Sequence, residues 1–237
     1  MRKTKIVCTI GPATKEVETL KKLILAGMNV ARINFSHGNY EDQKVYIENV
    51  KKAREELNMP VALLLDTQGP EIRTGVLEQM PVNLKADDIF TLVNEDIVGN
   101  NEKVSVTYKD LYKDIEIGTQ ILIDDGKIEL EVIEIKGKDV VCKVTNGGML
   151  GNRKSINLPG THVNLPSLKE KDIQDLKDGC MADFDFVAAS FVRSAEDVKS
   201  IRKVLDENGG KNIQIISKIE NQEGIDNLDE IIELSDG

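Results

Sequence analysis

The chain has 237 residues, 40% of them apolar and 18 of them glycine, a composition that excludes disordered and collagen-like classes and leaves room for more than one domain. Acidic residues outnumber basic ones 41 to 31, and the net charge of -10 disfavours a polyanionic partner. With no Trp, four Tyr and five Phe there are also few rings on which bases could stack, so no nucleic-acid partner is expected.

The basic start Met1 to Lys5 gives way to a short apolar stretch that breaks at Thr9, too soon for a secretory leader. Lys5 to Ile10 is predicted as a strand, Gly11-Pro12 as a turn, and Thr14 as the cap of a helix bearing Val17, Leu20, Leu23 and Ile24, which Gly27 ends. Val30 to Phe35 is the next strand, 39 to 57 the next helix, and Val61 to Asp66 the third strand. The apolar run Val61 to Leu65 is the longest in the chain, far below the roughly 20 residues that span a bilayer, so no membrane segment is expected.

From Pro70 to Leu165 the period changes to short alternating strands. They are punctuated by Asp125-Gly126, Lys136-Gly137, Asn146-Gly147-Gly148 and Pro159-Gly160, and this segment is predicted to be an inserted all-β domain without a convincing helix of any length. Ser167-Leu168-Lys169-Glu170 reads as a capping box opening a third helix. Phe184 to Phe191 is then a strand, Ser194 a helix cap, Asn208-Gly209-Gly210 a stop, Ile213 to Ile219 a strand, and Ile225, Leu228, Ile231 and Ile232 mark a last helix. Cys8, Cys142 and Cys180, odd in number and far apart, read as reduced thiols.

The fold class expected is α/β: a parallel sheet covered by helices, built from 1–69 and 166–237, with 70–165 inserted. It is either an open five-stranded sheet or the first part of a (β/α)8 barrel of about 250 residues, and the abrupt end at Asp236-Gly237 is what a piece of a longer chain would show.

In such sheets the loops after the strands carry the chemistry. Arg32, Asn34 and Ser36, at alternate positions, share one face of the second strand; Asp66-Thr67 end the third; Lys218 and Glu220 end the fifth. Arg73 follows the Gly69-Pro70 break. Singly, these are explained by a solvated Arg, a capping Ser, a turn-forming Asp and a local ion pair. Together they offer cations for anionic oxygens and hard oxygens for Mg²⁺, Mn²⁺ or alkali ions, with neither a Walker loop nor a Rossmann fingerprint. On residues alone this is a metal-assisted enzyme acting on a phosphorylated or carboxylated small molecule.

Four stretches carry a more specific resemblance: Lys3 to Pro12, Met28 to Gly38, Leu65 to Thr74 and Ile216 to Asn221. They closely resemble the pyruvate kinases of bacterial type, and the likeness runs through the whole chain in order. The resemblance implies a partial (β/α)8 TIM barrel of about five βα units interrupted by a mobile β-barrel lid, and phosphoryl transfer from phosphoenolpyruvate to ADP, giving pyruvate and ATP in glycolysis. It also implies a cytoplasmic parent enzyme, a homotetramer.

By the same resemblance Arg32 and Lys218 are catalytic and substrate-binding, Arg32 on phosphate and Lys218 on the transferring phosphoryl group and the developing enolate. Glu220 holds Mg²⁺ or Mn²⁺; Asn34, Ser36, Asp66 and Thr67 hold K⁺; Asn34, Phe35, Ser36, His37, Arg73 and Lys154 contact the nucleotide. His37 positions rather than acts as a base, and Glu71 accompanies potassium dependence. Gln68 stands where many relatives carry Lys, and the family's second carboxylate for the divalent ion, with a Thr near the enolate, falls beyond residue 237. The chain by itself is therefore expected to be inactive. The rival reading is a catalytically incomplete fragment acting only as a ligand-binding or structural unit.

Overall fold

A computed structural model describes residues 3–36 and 38–237. His37 and the first two residues lie outside the described residues, and nothing below rests on them. The chain divides into two compact units: Met1–Pro70 with Pro166–Glu220 and Gly224–Gly237, and Glu71–Leu165 with Asn221–Glu223.

In the first unit β1 (Ile6–Thr9), α1 (Val17–Ala26), β2 (Met28–Asn34), α2 (Tyr40–Glu56) and β3 (Ala62–Asp66) alternate. Helix α1 starts two residues after the position predicted: Thr14 exchanges hydrogen bonds with Gly11 across the turn, and Glu16 is the capping residue. Gly27, at φ 116°, closes α1 in the left-handed region that a side chain would disfavour. Helix α2 has a full capping box, Asn39 and Asp42 each accepting the other's backbone N–H.

The second unit contains β4 (Ile72–Arg73), β5 (Val82–Leu84), β6 (Ile89–Val93), β7 (Lys103–Ser105), α3 (Leu111–Asp114), β8 (Gln120–Ile123), β9 (Ile128–Lys136), β10 (Asp139–Asn146), β11 (Gly148–Leu150) and β12 (Ser155–Asn157). A seven-stranded sheet runs β4-β12-β8-β9-β10-β6-β7, and β11 pairs with β5. Its own core is built on Phe90, Leu92, Ile121, Ile123, Leu130, Val132 and Cys142. The helix in the segment is short: α3 is one turn in which Leu111 is buried against that core. Burial pushes the Cys142 thiol up to about 12, which keeps it protonated and unreactive.

The chain then returns through α4 (Glu170–Met181), β13 (Phe186–Ala189), α5 (Ala195–Glu207), β14 (Gln214–Ser217), α6 (Gln222–Asp226) and α7 (Leu228–Leu234). The predicted capping box at Ser167 is displaced by two residues: Lys169 is the capping residue, and Asp172, not Glu170, accepts its N–H at 3.1 Å. Strands β13 and β14 are shorter than predicted, and the last helix is two helices that part at Asn227.

The five-stranded sheet of the first unit is parallel throughout and runs β1-β2-β3-β13-β14. The order follows the sequence and never reverses, so it has no topological switch point of the doubly wound kind. Odd-numbered strand residues, Ala31, Ile33, Leu63, Leu65, Val187, Ala189 and Ile215, pack with Leu20, Ile24, Ile47, Val50, Leu176, Val198, Ile201 and Leu205 of the helices. Alternation sends the even-numbered residues, Arg32, Asn34, Leu64, Asp66, Ala188 and Ile216, to the opposite face. One face is thus committed to the core, and the other is left for polar groups at the strand ends. Among the described residues no helix is long and apolar enough to cross a membrane.

Candidate active site

Asp66, the last residue of β3, is 2% exposed and is the centre of the polar face. Its Oδ2 accepts from Arg32 on the neighbouring β2, through Nε at 2.8 Å and also through Nη2. Its Oδ1 faces Lys218 Nζ at 2.9 Å, on the residue that follows β14. A carboxylate offers about four lone-pair positions, and here the donors are two cations, with the Ser190 hydroxyl oxygen 3.5 Å from Oδ1. Arg32 Nη1 donates to Thr9 Oγ1 at 2.6 Å, so the guanidinium is fixed from both sides. Both cations keep about a third of their side-chain surface open, Arg32 33% and Lys218 30%, and can still reach an anion.

The backbone puts these groups in register. Asn34 pairs with Asp66 in the β2–β3 ladder, and Phe35 N–H donates to the Asp66 carbonyl at 3.0 Å. The ladder also runs on past the named strands: Thr67 N–H reaches Ala188 O at 3.1 Å, and Lys218 N–H reaches Ala189 O at 2.9 Å.

Hard oxygens line the same strand ends. Asn34 Oδ1 accepts from Ser36 N–H at 2.8 Å, and the Thr67 carbonyl accepts the Ser190 hydroxyl at 2.5 Å. Each of these acceptors retains a second lone pair. Amide, hydroxyl, carbonyl and a single carboxylate make a donor set suited to a monovalent alkali ion. Glu220 Oε2 accepts from Phe191 N–H at 3.0 Å, while its Oε1 lies 3.7 Å from Lys218 Nζ. One carboxylate of this kind fits Mg²⁺, which is held by one or two carboxylates with water and substrate phosphate supplying the rest. Among the described residues no group of three or more His, Cys, Asp or Glu could cage a metal.

The structure therefore brings Arg32, Asn34, Asp66, Thr67, Lys218 and Glu220 to the C-terminal ends of neighbouring strands. Ser36 lies one residue past the buried Phe35 and joins them through its backbone. Arg73 and Lys154 belong to the second unit, where β4 pairs with β12 and Thr74 N–H donates to the Lys154 carbonyl at 2.8 Å. Arg73 Nε donates to Glu71 Oε1 at 2.6 Å, a bond that holds the guanidinium above its usual range against the effect of burial. Hydrogen bonds from Lys154 and Lys127 hold the Asp124 carboxyl below the usual range.

Three participants were missed. Thr9 and Ser190 end β1 and the β13 run, and the strand-end rule applied to every strand would have found both. Phe191 contributes a backbone N–H, at φ 56°, and no side-chain pattern announces it.

The family model described as pyruvate kinase, barrel domain, matches residues 1–237. The chain belongs to the pyruvate kinase family. The pyruvate kinase of Clostridium acetobutylicum is 52% identical over 238 residues, taking in 100% of this chain and 50% of that protein. The pyruvate kinase of Bacillus licheniformis is 49% identical and that of Staphylococcus aureus strain MRSA252 50% identical, with all of this chain against 41% of each relative. The chain thus spans half or less of the length of these pyruvate kinases.

Proposed function

We propose that this chain carries the phosphoenolpyruvate-binding strand ends of a pyruvate kinase, which moves a phosphoryl group from phosphoenolpyruvate to ADP. One observation carries the reading: two cations about one-third open, Arg32 and Lys218, are held by opposite oxygens of the buried Asp66 carboxylate at the C-terminal ends of a parallel sheet. Phosphoryl transfer asks little covalent chemistry of the protein; it asks for placement and for charge opposite the developing negative oxygens.

In this reading Arg32 binds the substrate phosphate, and Thr9 and Asp66 keep its guanidinium plane from turning. Lys218 is held beside Asp66 in the ground state and meets the charge that grows on the bridging oxygen and the phosphoryl group as the bond between them breaks. Glu220, oriented by Phe191 N–H, is the protein's ligand for Mg²⁺ or Mn²⁺. Asn34, Ser36, Asp66 and Thr67 supply oxygens for K⁺. These two ions, when bound, supply fixed positive charge to the phosphoryl oxygens. Asn34, Phe35 and Ser36 are the nucleotide contacts proposed from the first unit, and Arg73 and Lys154 those proposed from the second; His37, outside the described residues, is proposed with them on the family resemblance alone.

The remaining parts of the reading follow the family. Residues 1–69 with 166–237 form the first five βα units of a (β/α)8 barrel, supported by a parallel sheet whose strands keep sequence order. Residues 70–165 form a lid domain, supported by a separate core and a largely antiparallel sheet. The complete enzyme works in the cytoplasm as a homotetramer.

The test is pyruvate formation by the longest natural form of the protein from phosphoenolpyruvate, ADP, Mg²⁺ and K⁺, repeated with K⁺ and Na⁺ both omitted. Activity that depends on K⁺ is expected, since Glu71 cannot supply the positive charge that a Lys there would. Absence of pyruvate under all conditions would overturn the reading. Omitting K⁺ without effect would remove the potassium site from it.

A further inference from the structure

Two of the strand ends just described are gripped from the same helical turn. Asp172, in the first turn of α4 and 1% exposed, accepts Lys169 N–H at one oxygen, the ordinary capping bond. Its other oxygen accepts Gly69 N–H at 3.0 Å, 103 positions earlier in the chain and two residues past Thr67. The preceding residue, Lys171, reaches still further: its Nζ donates to the Phe35 carbonyl at 2.7 Å, 136 positions away, and is steadied by Asp175 Oδ2 at 2.6 Å. Phe35 lies between Asn34 and Ser36.

Capping α4 needs only the Lys169 bond. The two long-range bonds take hold of the loops after β2 and β3 at one polar backbone atom each. The loop after β3 has little freedom besides. Gly69 sits at φ +71°, and a Cβ there would come within 2.5 Å of the Ser190 carbonyl. A buried carboxylate accepting two amides, and an ammonium tied to a carboxylate and a carbonyl, are charge-assisted bonds, stronger than neutral ones. Losing either would strand a buried polar group.

We infer that the first turn of α4 is a positioning brace, in which Asp172 and Lys171 set the spacing between the strand end carrying Arg32 and Asn34 and the strand end carrying Asp66 and Thr67. This rests on the proposed function for its purpose, because the phosphate contact of Arg32 depends on where Asp66 stands. Neither Asp172 nor Lys171 is assigned a contact with substrate.

The experiment uses Asp172→Asn, Lys171→Met and Lys171→Arg in the 237-residue chain. It reads backbone amide exchange residue by residue and titrates phosphoenolpyruvate with Mg²⁺ and K⁺ by calorimetry. Asparagine replaces one acceptor oxygen with a donor, so Asp172→Asn should speed exchange at Gln68 and Gly69 by about tenfold or more. Lys171→Met should do the same at Phe35 and Ser36, while β13 and β14 exchange as before. Phosphoenolpyruvate affinity should fall by about fivefold or more in both, which corresponds to roughly 1 kcal/mol, and Lys171→Arg should restore both readouts.

Faster exchange in all strands alike would make these residues merely structural and overturn the brace. So would locally faster exchange with unchanged affinity. If the unsubstituted chain binds no phosphoenolpyruvate, the functional reading fails by itself, and the exchange pattern alone then decides whether α4 holds the two loops.

Discussion

Arg32 and Lys218, 186 positions apart in the chain, are held by opposite oxygens of one carboxylate, that of Asp66. Each cation has its charge balanced in part and keeps about a third of its side-chain surface exposed. The carboxylate that balances them is nearly inaccessible, so an anionic ligand meets the cations rather than the carboxylate.

Asp66→Asn is expected to lower stability. Removing one charge from a buried pair costs several kcal/mol where both partners are enclosed, but Arg32 and Lys218 are about one-third open, and water compensates part of the loss. A decrease of roughly 1–3 kcal/mol in denaturant unfolding is expected, with weaker binding of phosphoenolpyruvate. Unchanged stability and affinity would show that the cations hold their places without Asp66.

Lys218→Met in the complete enzyme is expected to reduce turnover by about 10²–10³ while phosphoenolpyruvate affinity changes little, because the ammonium matters most as charge develops on the transferring group. The check is kcat and KM measured separately. A collapse of affinity with turnover preserved would make Lys218 a ground-state binder.

Asp175 provides a pH-dependent prediction. Burial pushes its carboxyl above the ordinary 3.8, and the bond from Lys171 offsets only part of that. A folded-state value above the unfolded one adds stability below 3.8 and loses it as pH rises through the raised value. Asp175→Asn does not titrate, and its amide oxygen can still accept from Lys171. The stability difference should therefore shift in favour of the variant as pH rises from below 3.8 through the raised value. Thermal unfolding of both proteins across that range checks it, and a constant difference would contradict it.

The strand ends were legible because three rules coincide there: period-2 alternation, a parallel sheet, and polar residues where apolar runs stop. Arg32, Asn34, Asp66 and Lys218 all satisfy them. The brace was not legible, because its bonds go from Asp172 and Lys171 to a backbone N–H and a carbonyl, groups that every residue carries. The capping error has a related cause: Ser167 to Glu170 fits the local pattern, but Asp172 can join two segments at once and sets where α4 begins. Thr14 was misread because a turn and a helix cap ask for the same hydroxyl.

The pairing of β3 with β13 matters while the protein is being made. Leu63 N–H and the Asp185 carboxylate that receives it are 122 positions apart. At 5–20 residues per second, the free edge of β3 on a nascent chain waits about 6–24 s for the strand that covers it. Until then β3, with its run Leu63 to Leu65, lacks the neighbour that covers its edge in the finished sheet, and such an uncovered edge can pair with other chains. Slower synthesis through 71–185 would lengthen that exposure, so the yield of folded protein should depend on codon choice in that stretch more than elsewhere.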